Sequence, residues 1–248
     1  EGNHINLKLI NKKKTDKYIG SRKNSDISKY LLRGIKVNFS SKIKTIKFNA
    51  FWTITLENGK KLNFKNVIIT CPFPQVKNLA KKYLSKKFIN QDIKMLPNIT
   101  FMLAFKNNDT LPVSSITFND EIIAWASNEN SKKRFKTNLN LWTIQTQLNW
   151  SKKYISKYKD NKKKISDIII KKFTSLIGLQ NSKIVYSNIH GWKYAFSYRG
   201  TSIDSFWSKK YNFGICGDWF LGSKAENAWL SARNLVLHIK KNPPKNNF

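Results

Sequence analysis

Alternating apolar and polar positions predict β-strands in the first third of the chain. Residues 35–49 alternate well enough for two short strands, and residues 51–57 alternate again before 61–64 return. Asn58-Gly59 is the preferred dipeptide of a two-residue type I′ turn, so a hairpin is predicted here. Residues 66–71 form a continuous apolar run, which is typical of a strand buried on both faces.

Helical spacing of apolar residues predicts helices at 25–32, 75–87 and 151–178, the last as one or two helices. Ser25 is a candidate N-cap, with Ile27, Tyr30 and Leu31 on the apolar face of the first helix. Strand-like segments at about 96–150, separated by turn residues, predict an antiparallel sheet, and a further strand is expected at 183–196.

The C-terminal region predicts a strand at 213–217 followed by a helix at about 224–240. Ser223 and Glu226 have the spacing of a capping box, in which each side chain binds a backbone N–H at the helix start. The apolar stripe of this helix is predicted to contain Ala228, Trp229, Ala232, Leu235, Val236 and Ile239.

Composition indicates a folded chain of one large or two smaller domains. The 248 residues are 40% hydrophobic and include eight Trp and sixteen Phe, enough for a core. No apolar run could cross a bilayer, so no membrane partner is expected. Two cysteines make no disulfide framework, which favours a reducing, cytoplasmic location. The first residue is Glu1 rather than Met, which suggests a fragment or a trimmed chain.

The net charge of +32, from 46 basic and 14 acidic residues, favours polyanions such as nucleic acid. A coding bias explains it better, because Lys, Asn and Ile recur throughout and the lysines cluster in predicted turns and on solvent faces. No zinc-ligand spacing or RNA-binding aromatic motif is present, so neither a metal site nor a specific nucleic-acid partner is expected.

The segment around Gly217, Asp218 and Gly222 carries the candidate chemistry. Small glycines let a ligand approach the backbone, and Asp218 could accept hydrogen bonds from ligand hydroxyls. The following helix start is electropositive, and ligands of open α/β sheets bind beyond the carboxyl ends of strands. These parts suit a planar, electron-rich ligand with a hydroxylated chain.

This segment resembles the C-terminal flavin motif of the amine-oxidase superfamily, specifically of bacterial renalase-like NAD/FAD-dependent oxidoreductases, whose pattern is approximately G-D-W-x-x-G-x-x-x-E-G-A-W-L-S-G. Five segments are similar to that family in order along the chain: "YIGSRKNSDISKYL", "NVIITCPFPQV", "LWTIQTQLNWSKKY", "HGWKYAF" and "ICGDWFLGSKAENAWLSA".

The resemblance implies an α/β fold: an FAD-binding Rossmann-like domain of amine-oxidase type, interleaved with an α+β substrate domain built on an antiparallel sheet. The FAD domain would comprise residues 18–78 and 205–243, the substrate domain 79–204, and residues 1–17 a tail or connection. The family's N-terminal G-x-G-x-x-G turn has no counterpart among the ten glycines. The first βαβ unit is therefore expected to be missing, and an incomplete sequence is the favoured explanation.

The same resemblance implies the site residues. The cofactor would be FAD, with Asp218 on its ribityl chain and the Asn227–Ala228 backbone facing the flavin. The other cofactor-binding candidates are Ile43, Pro72, Gly217 and Glu226, although a helix cap is the favoured role of Glu226. The substrate pocket would be shaped by Trp142, His190, Trp192, Tyr194 and Trp219. No catalytic residue is identified, because His190 is better explained as a hydrogen-bonded strand end. Asn227 and Ala232 stand where the family has glycines.

The function expected from the resemblance is hydride transfer from a small reduced substrate to flavin. A pyridine nucleotide, namely an isomeric dihydro-NAD(P), is a candidate substrate, and molecular oxygen is the expected acceptor. Two alternatives stay open: a flavin amine or polyene oxidase of the same fold, and a non-enzymatic basic module that binds nucleic acid or has a structural role.

Overall fold

The computed structural model describes residues 18–106, 111–134 and 136–244. The described chain divides into two compact units, each built from two segments. Unit 1 contains the residues up to Val37 and Pro97–Trp192, and unit 2 contains Asn38–Leu96 and the residues from Lys193 onward. The functional division implied by the resemblance stays a prediction, and its residues 1–17 lie outside the described part.

The described residues form six α-helices and eleven strands. The helices are α1 (Ser25–Leu31), α2 (Phe73–Ala80), α3 (Lys86–Ile89), α4 (Leu148–Tyr154), α5 (Lys162–Leu176) and α6 (Ala225–Lys241). The strands are β1 (Ile43–Asn49), β2 (Phe51–Leu56), β3 (Lys61–Phe64), β4 (Val67–Ile69), β5 (Met95–Lys106), β6 (Ser115–Thr117), β7 (Ile123–Asn128), β8 (Asn140–Thr146), β9 (Lys183–Ser197), β10 (Phe206–Ser208) and β11 (Phe213–Ile215).

The first sheet of unit 2 is the antiparallel meander β1-β2-β3, which confirms the predicted hairpin. The predicted turn type is wrong. Gly59 has φ +84°, but Asn58 is not among the residues with positive φ, as a type I′ turn requires. Instead the Gly59 N–H donates to the Leu56 carbonyl, and the Leu56 N–H donates to the Lys60 carbonyl. The two strands predicted within 35–49 are one, β1.

The second sheet of unit 2 has the order β10-β11-β4, with β11 and β4 parallel and β10 antiparallel. The prediction of a strand before Pro72 is confirmed, but burial on both faces is wrong, because Ile68 is 49% exposed. Around this sheet lies a core rich in aromatic side chains. Trp52, fully buried, donates its indole N–H to the Tyr211 carbonyl and packs against Phe48, Tyr83 and Phe213.

The sheet of unit 1 has the order β6-β7-β8-β5-β9, and its β5–β8, β7–β8 and β6–β7 pairs are antiparallel, as predicted. Its buried core includes the inward residues of α5, whose predicted helical spacing is confirmed: Ile165, Ile169 and Phe173 are almost fully buried. The predicted apolar face of α1 contains no buried residue. None of the helices in the described ranges has the length and hydropathy needed to cross a bilayer.

The apolar stripe predicted for α6 is wrong at Trp229 and Val236, which are 55% and 49% exposed. The buried face is centred on Ser231 and Leu235 instead. Trp229 precedes Ser231 by two residues and Val236 follows Leu235 by one, so each is turned by about 100° or more from that face. Leu235 packs closely on β11, where a Cβ added at Gly214 would lie 3.1 Å from a Leu235 methyl carbon.

Candidate functional site

The parallel pair of β4 and β11 builds the site in unit 2, because the carboxyl ends of parallel strands meet at the same edge of a sheet. The register pairs Phe213 with Val67 and Ile215 with Ile69. Beyond this edge the Cys216 N–H donates to the Ile69 carbonyl at 3.2 Å. The Trp219 indole N–H donates to the Cys71 carbonyl, also at 3.2 Å. The structure thus brings the loop before Pro72 next to the turn that carries Gly217, Asp218 and Trp219.

The segment that leads from β11 to α6 is a compact turn of residues 217–222, which we call the glycine turn. Its centre is a single 3₁₀ turn, Asp218–Phe220, and the Asp218 carbonyl accepts from the N–H groups of Leu221 and Gly222. Gly217 is required by close approach, since an added Cβ would lie 2.7 Å from the Trp219 indole nitrogen. Gly222 has φ +106°, a conformation that residues with a side chain rarely adopt.

Asp218 presents a partly exposed carboxyl group at this edge. Burial raises the pKa of the Asp218 carboxyl above its ordinary value, and the backbone N–H groups of Trp219 and of Asp218 itself oppose that rise. A carboxylate offers about four lone-pair positions, so the group retains the capacity to accept from ligand hydroxyls. A desolvated acid in a glycine-lined turn is the kind of group that binding sites use.

The start of α6 lies directly after the glycine turn. Its N-cap residue is Lys224, with no side-chain cap, so the predicted capping box is wrong. The Ser223 hydroxyl accepts from the Ser197 N–H at 2.5 Å instead. The N–H groups of Asn227 and Ala228 both donate to the Lys224 carbonyl, and Glu226 is exposed in the first turn. No side chain of the described residues caps this helix start, so its electropositive end stays available to a ligand.

One face of α6 carries four polar side chains, which we call the polar seam: Asn227, Ser231, Asn234 and His238. Asn227 donates to the carbonyls of Leu221 and Gly222 at 3.1 and 2.7 Å. Ser231 accepts from the Gly217 N–H at 3.1 Å and donates to the Asp204 carbonyl at 2.6 Å.

The C-terminal half of the seam binds the loop before β10. Asn234 donates to the Asp204 carboxylate at 2.8 Å, and His238 Nδ1 lies 3.1 Å from the Ser205 hydroxyl. Sequence reasoning missed Ser231 and Asn234. The sequence could have indicated them, because the four polar residues are spaced three to four positions apart and so lie on one helix face.

The other predicted site residues lie elsewhere in the structure. Ile43 begins β1, which belongs to a different sheet from β4 and β11. In unit 1, Trp142 is 2% exposed and packs edge-on against Phe173. Also in unit 1, the exposed His190 ring lies 4.2 Å from the ring of Trp192. Tyr194 is half-buried on β9, with Lys193 Nζ 5.6 Å from its ring centre. Their assignment to a substrate pocket stays a prediction.

Neither cysteine has the environment of an activated nucleophile. Burial raises the pKa of the Cys71 thiol and of the Cys216 thiol, which disfavours the reactive thiolate form of both. Among the residues that the structure describes, no three His, Cys, Asp or Glu side chains are grouped closely enough to hold a metal ion.

Comparison with solved structures finds oxidases of similar fold. No protein-family model matches the chain. A candidate protoporphyrinogen oxidase from Exiguobacterium sp. 255-15 is similar over 89% of this chain and 51% of its own, with a TM-score of 0.69 and 10% identity. A putrescine oxidase whose cofactor binding had been redesigned is similar over 87% of this chain and 52% of its own, with a TM-score of 0.59 and 10% identity. The chain spans about half the length of these oxidases. At this identity the likeness shows the fold alone, a mixed α/β fold similar to that of these two oxidases.

Proposed function

We propose that this chain is part of an FAD-dependent oxidoreductase that oxidises a small reduced substrate by hydride transfer. The observation that carries the proposal is the edge of the β4–β11 pair. There the Pro72 loop lies beside the glycine turn with Asp218, and that turn leads directly into the uncapped start of α6. Ligands of open α/β sheets bind at this position.

The residues present fit the part of FAD that carries the ribityl chain and the ring. Asp218 would accept hydrogen bonds from the ribityl hydroxyls, and Gly217 would let the chain approach the backbone. The electropositive start of α6, through the backbone at Asn227–Ala228, would stabilise negative charge on the ring. When bound, the flavin supplies the acceptor for the substrate's hydride. The sequence has no G-x-G-x-x-G spacing, so a pyrophosphate cradle of that type is not among its residues.

The substrate assignment comes from the family resemblance and from charge. An isomeric dihydro-NAD(P) is the proposed substrate, with oxygen as the acceptor of the electrons. Its phosphates suit a chain of net charge +32, because a positive field raises the encounter rate of an anionic ligand. From the family resemblance we propose Trp142, His190, Trp192, Tyr194 and Trp219 as substrate-pocket residues, and residues 79–204 as the substrate domain.

The test is FAD binding by the purified chain and by a matched pair of aspartate variants. We expect the wild-type chain to bind FAD in an equilibrium titration and Asp218→Ala to bind it about tenfold more weakly, because a hydrogen bond to a charged group is lost. Asp92→Ala is the control: it removes an exposed carboxylate of the same unit that pairs with Lys94. Equal FAD affinity of the wild type and Asp218→Ala would refute the assigned role of Asp218.

A second candidate is a flavin amine oxidase of the same fold, which the likeness to a putrescine oxidase favours. Rapid mixing of the flavin-loaded protein with dihydronicotinamide isomers or with primary amines distinguishes the two. Bleaching of the flavin by amines alone would replace the first proposal with the second. The non-enzymatic alternative predicts instead salt-sensitive retention of duplex DNA without FAD binding.

A further inference from the structure

The glycine turn is attached to α6 at both of its ends by side chains of the helix itself. At the first end the Ser231 hydroxyl accepts from the Gly217 N–H. At the other end the Asn227 amide donates to the carbonyls of Leu221 and Gly222. Asn227 and Ser231 are four residues apart, so they lie on the same face of α6, one turn above the other.

The two attachments differ in burial. Ser231 is completely buried, and its hydroxyl uses both its donor and its acceptor capacity, on Asp204 and on Gly217. Its removal would leave the buried Gly217 N–H without this partner, which is costly. Asn227 is half-buried, and its amide donates to two carbonyls at the end of the turn, where Gly222 has a positive φ.

These contacts fix the backbone on both sides of Asp218. The Gly217 N–H precedes the Asp218 residue directly, and the Leu221 and Gly222 N–H groups donate to its carbonyl. A binding group must be held in its productive geometry before the ligand arrives, because ordering it on binding reduces affinity.

We infer that Asn227 and Ser231 form a clamp that presets the glycine turn, and that both are positioning residues for cofactor binding. The second half of this inference rests on the proposed function; the clamp itself does not. The side chain at 227, where the resembling family has glycine, thus has a definite structural role, because its amide binds the carbonyls of the turn.

The test combines amide hydrogen exchange in the free chain with FAD titration, for Ser231→Ala and Asn227→Ala. Exchange at Gly217 in the first variant, and across 217–222 in the second, should become about tenfold faster than in the wild type, since each lost bond held the turn closed. FAD affinity should fall about tenfold in both. Arg233→Ala is the control, because Arg233 is exposed on α6 and its guanidinium lies over the Trp229 ring, away from the contacts of the clamp.

The two measurements test the clamp and its role in cofactor binding separately. Unchanged exchange in the glycine turn of both variants overturns the clamp, whether or not FAD binds. Faster exchange with wild-type FAD affinity overturns the positioning role. If the wild type binds no FAD, the proposed function and the positioning role are both overturned, while the exchange data still decide the clamp. Ser231→Thr, which keeps the hydroxyl, should restore slow exchange at Gly217. Should Ser231→Ala not fold, the half-buried Asn227 position gives the decisive variant.

Discussion

Asp120 in unit 1 and Asp218 in unit 2 both stand at turns beside strands, yet their surroundings move their pKa values in opposite directions. Burial acts to raise the pKa of Asp120, but a 2.6 Å ion pair with Lys172 and the N–H groups of Ile122 and Ile123 bring the pKa below its ordinary 3.8. Burial raises the pKa of Asp218, and only backbone N–H groups oppose it.

The carboxylate oxygens of Asp120 are used by hydrogen bonds and an ion pair within the fold. The carboxylate of Asp218 can still accept hydrogen bonds from a ligand. Asp120 stabilises unit 1 and offers little to a ligand, because its oxygens already have strong partners. Asp218 costs the free chain stability when ionised, which is the pattern expected of a group kept for binding.

The largest expected effect comes from Asp120→Ala. It leaves Lys172 without its carboxylate and the N–H groups of Ile122 and Ile123 without their acceptor. We expect the free energy of unfolding to fall by about 1–3 kcal/mol. Denaturant unfolding measures it, and Asp160→Ala, on an exposed aspartate of the same unit, is the control. A loss no larger than that of the control would contradict the structural role of Asp120.

The stability lost in Asp120→Ala should depend on pH, which tests whether the ionised carboxylate is its source. The pKa of Asp120 is lowered on folding, so its contribution is present above the unfolded value of 3.8 and is lost as the pH falls through the folded value. The difference between the wild type and Asp120→Ala should therefore narrow as the pH falls below about 4. Unfolding titrations at a series of pH values give the profile, and a constant difference would speak against ionised Asp120 as the source.

A smaller effect is expected from Lys172→Met. This change removes the ion pair while the backbone N–H groups still bind Asp120, and Lys172 is 39% exposed. We expect a loss of about 0.5–1 kcal/mol, since partly exposed ion pairs are screened by water. Comparing this variant with Asp120→Ala in a double-mutant cycle measures the ion pair alone. A loss equal to that of Asp120→Ala would mean that the backbone bonds contribute nothing.

The smallest expected effect is a gain in stability, and it comes from Asp218→Asn. The pKa of Asp218 is raised on folding, so the protonated form favours the fold, and this advantage is lost as the pH rises through the folded value. Asp218→Asn removes the cost of ionisation and should raise the Tm of the free chain at pH 7 by at most about 2 °C, with no gain at acid pH. A lower Tm at pH 7 would mean that the carboxylate stabilises the turn.

Sequence periodicity predicted elements in both units, such as α5 and the β2–β3 hairpin, because apolar spacing and alternation are local properties. It missed β10, and the single helix predicted at 75–87 is interrupted, because α2 ends at Ala80 and α3 begins at Lys86. It could not give the parallel pairing of β4 with β11, whose partners are more than 140 residues apart in the sequence. The capping box failed for a related reason: Ser197, distant in sequence, takes the Ser223 hydroxyl.

The candidate site was predictable only in its outline. The glycines and Asp218 indicated the turn, and the structure places them together with the Pro72 loop. The hydrogen bonds of Ser231 and Asn227 needed the path of the turn to be known, since polar side chains on a helix are usually solvated. The prediction for Trp229 was wrong, because an aromatic residue in a helix pattern does not reveal which side the neighbouring strand covers.

The polar seam of α6 also sets the position of the helix along and around its own axis. An apolar helix face tolerates small slides or rotations, because dispersion contacts are non-directional, whereas hydrogen bonds to loops at both ends of a helix permit one setting. Inserting a single residue between Asn227 and Ser231 would rotate everything beyond it by about 100° and separate the two halves of the seam. A change of length within α6 is therefore incompatible with the contacts at both ends of the seam.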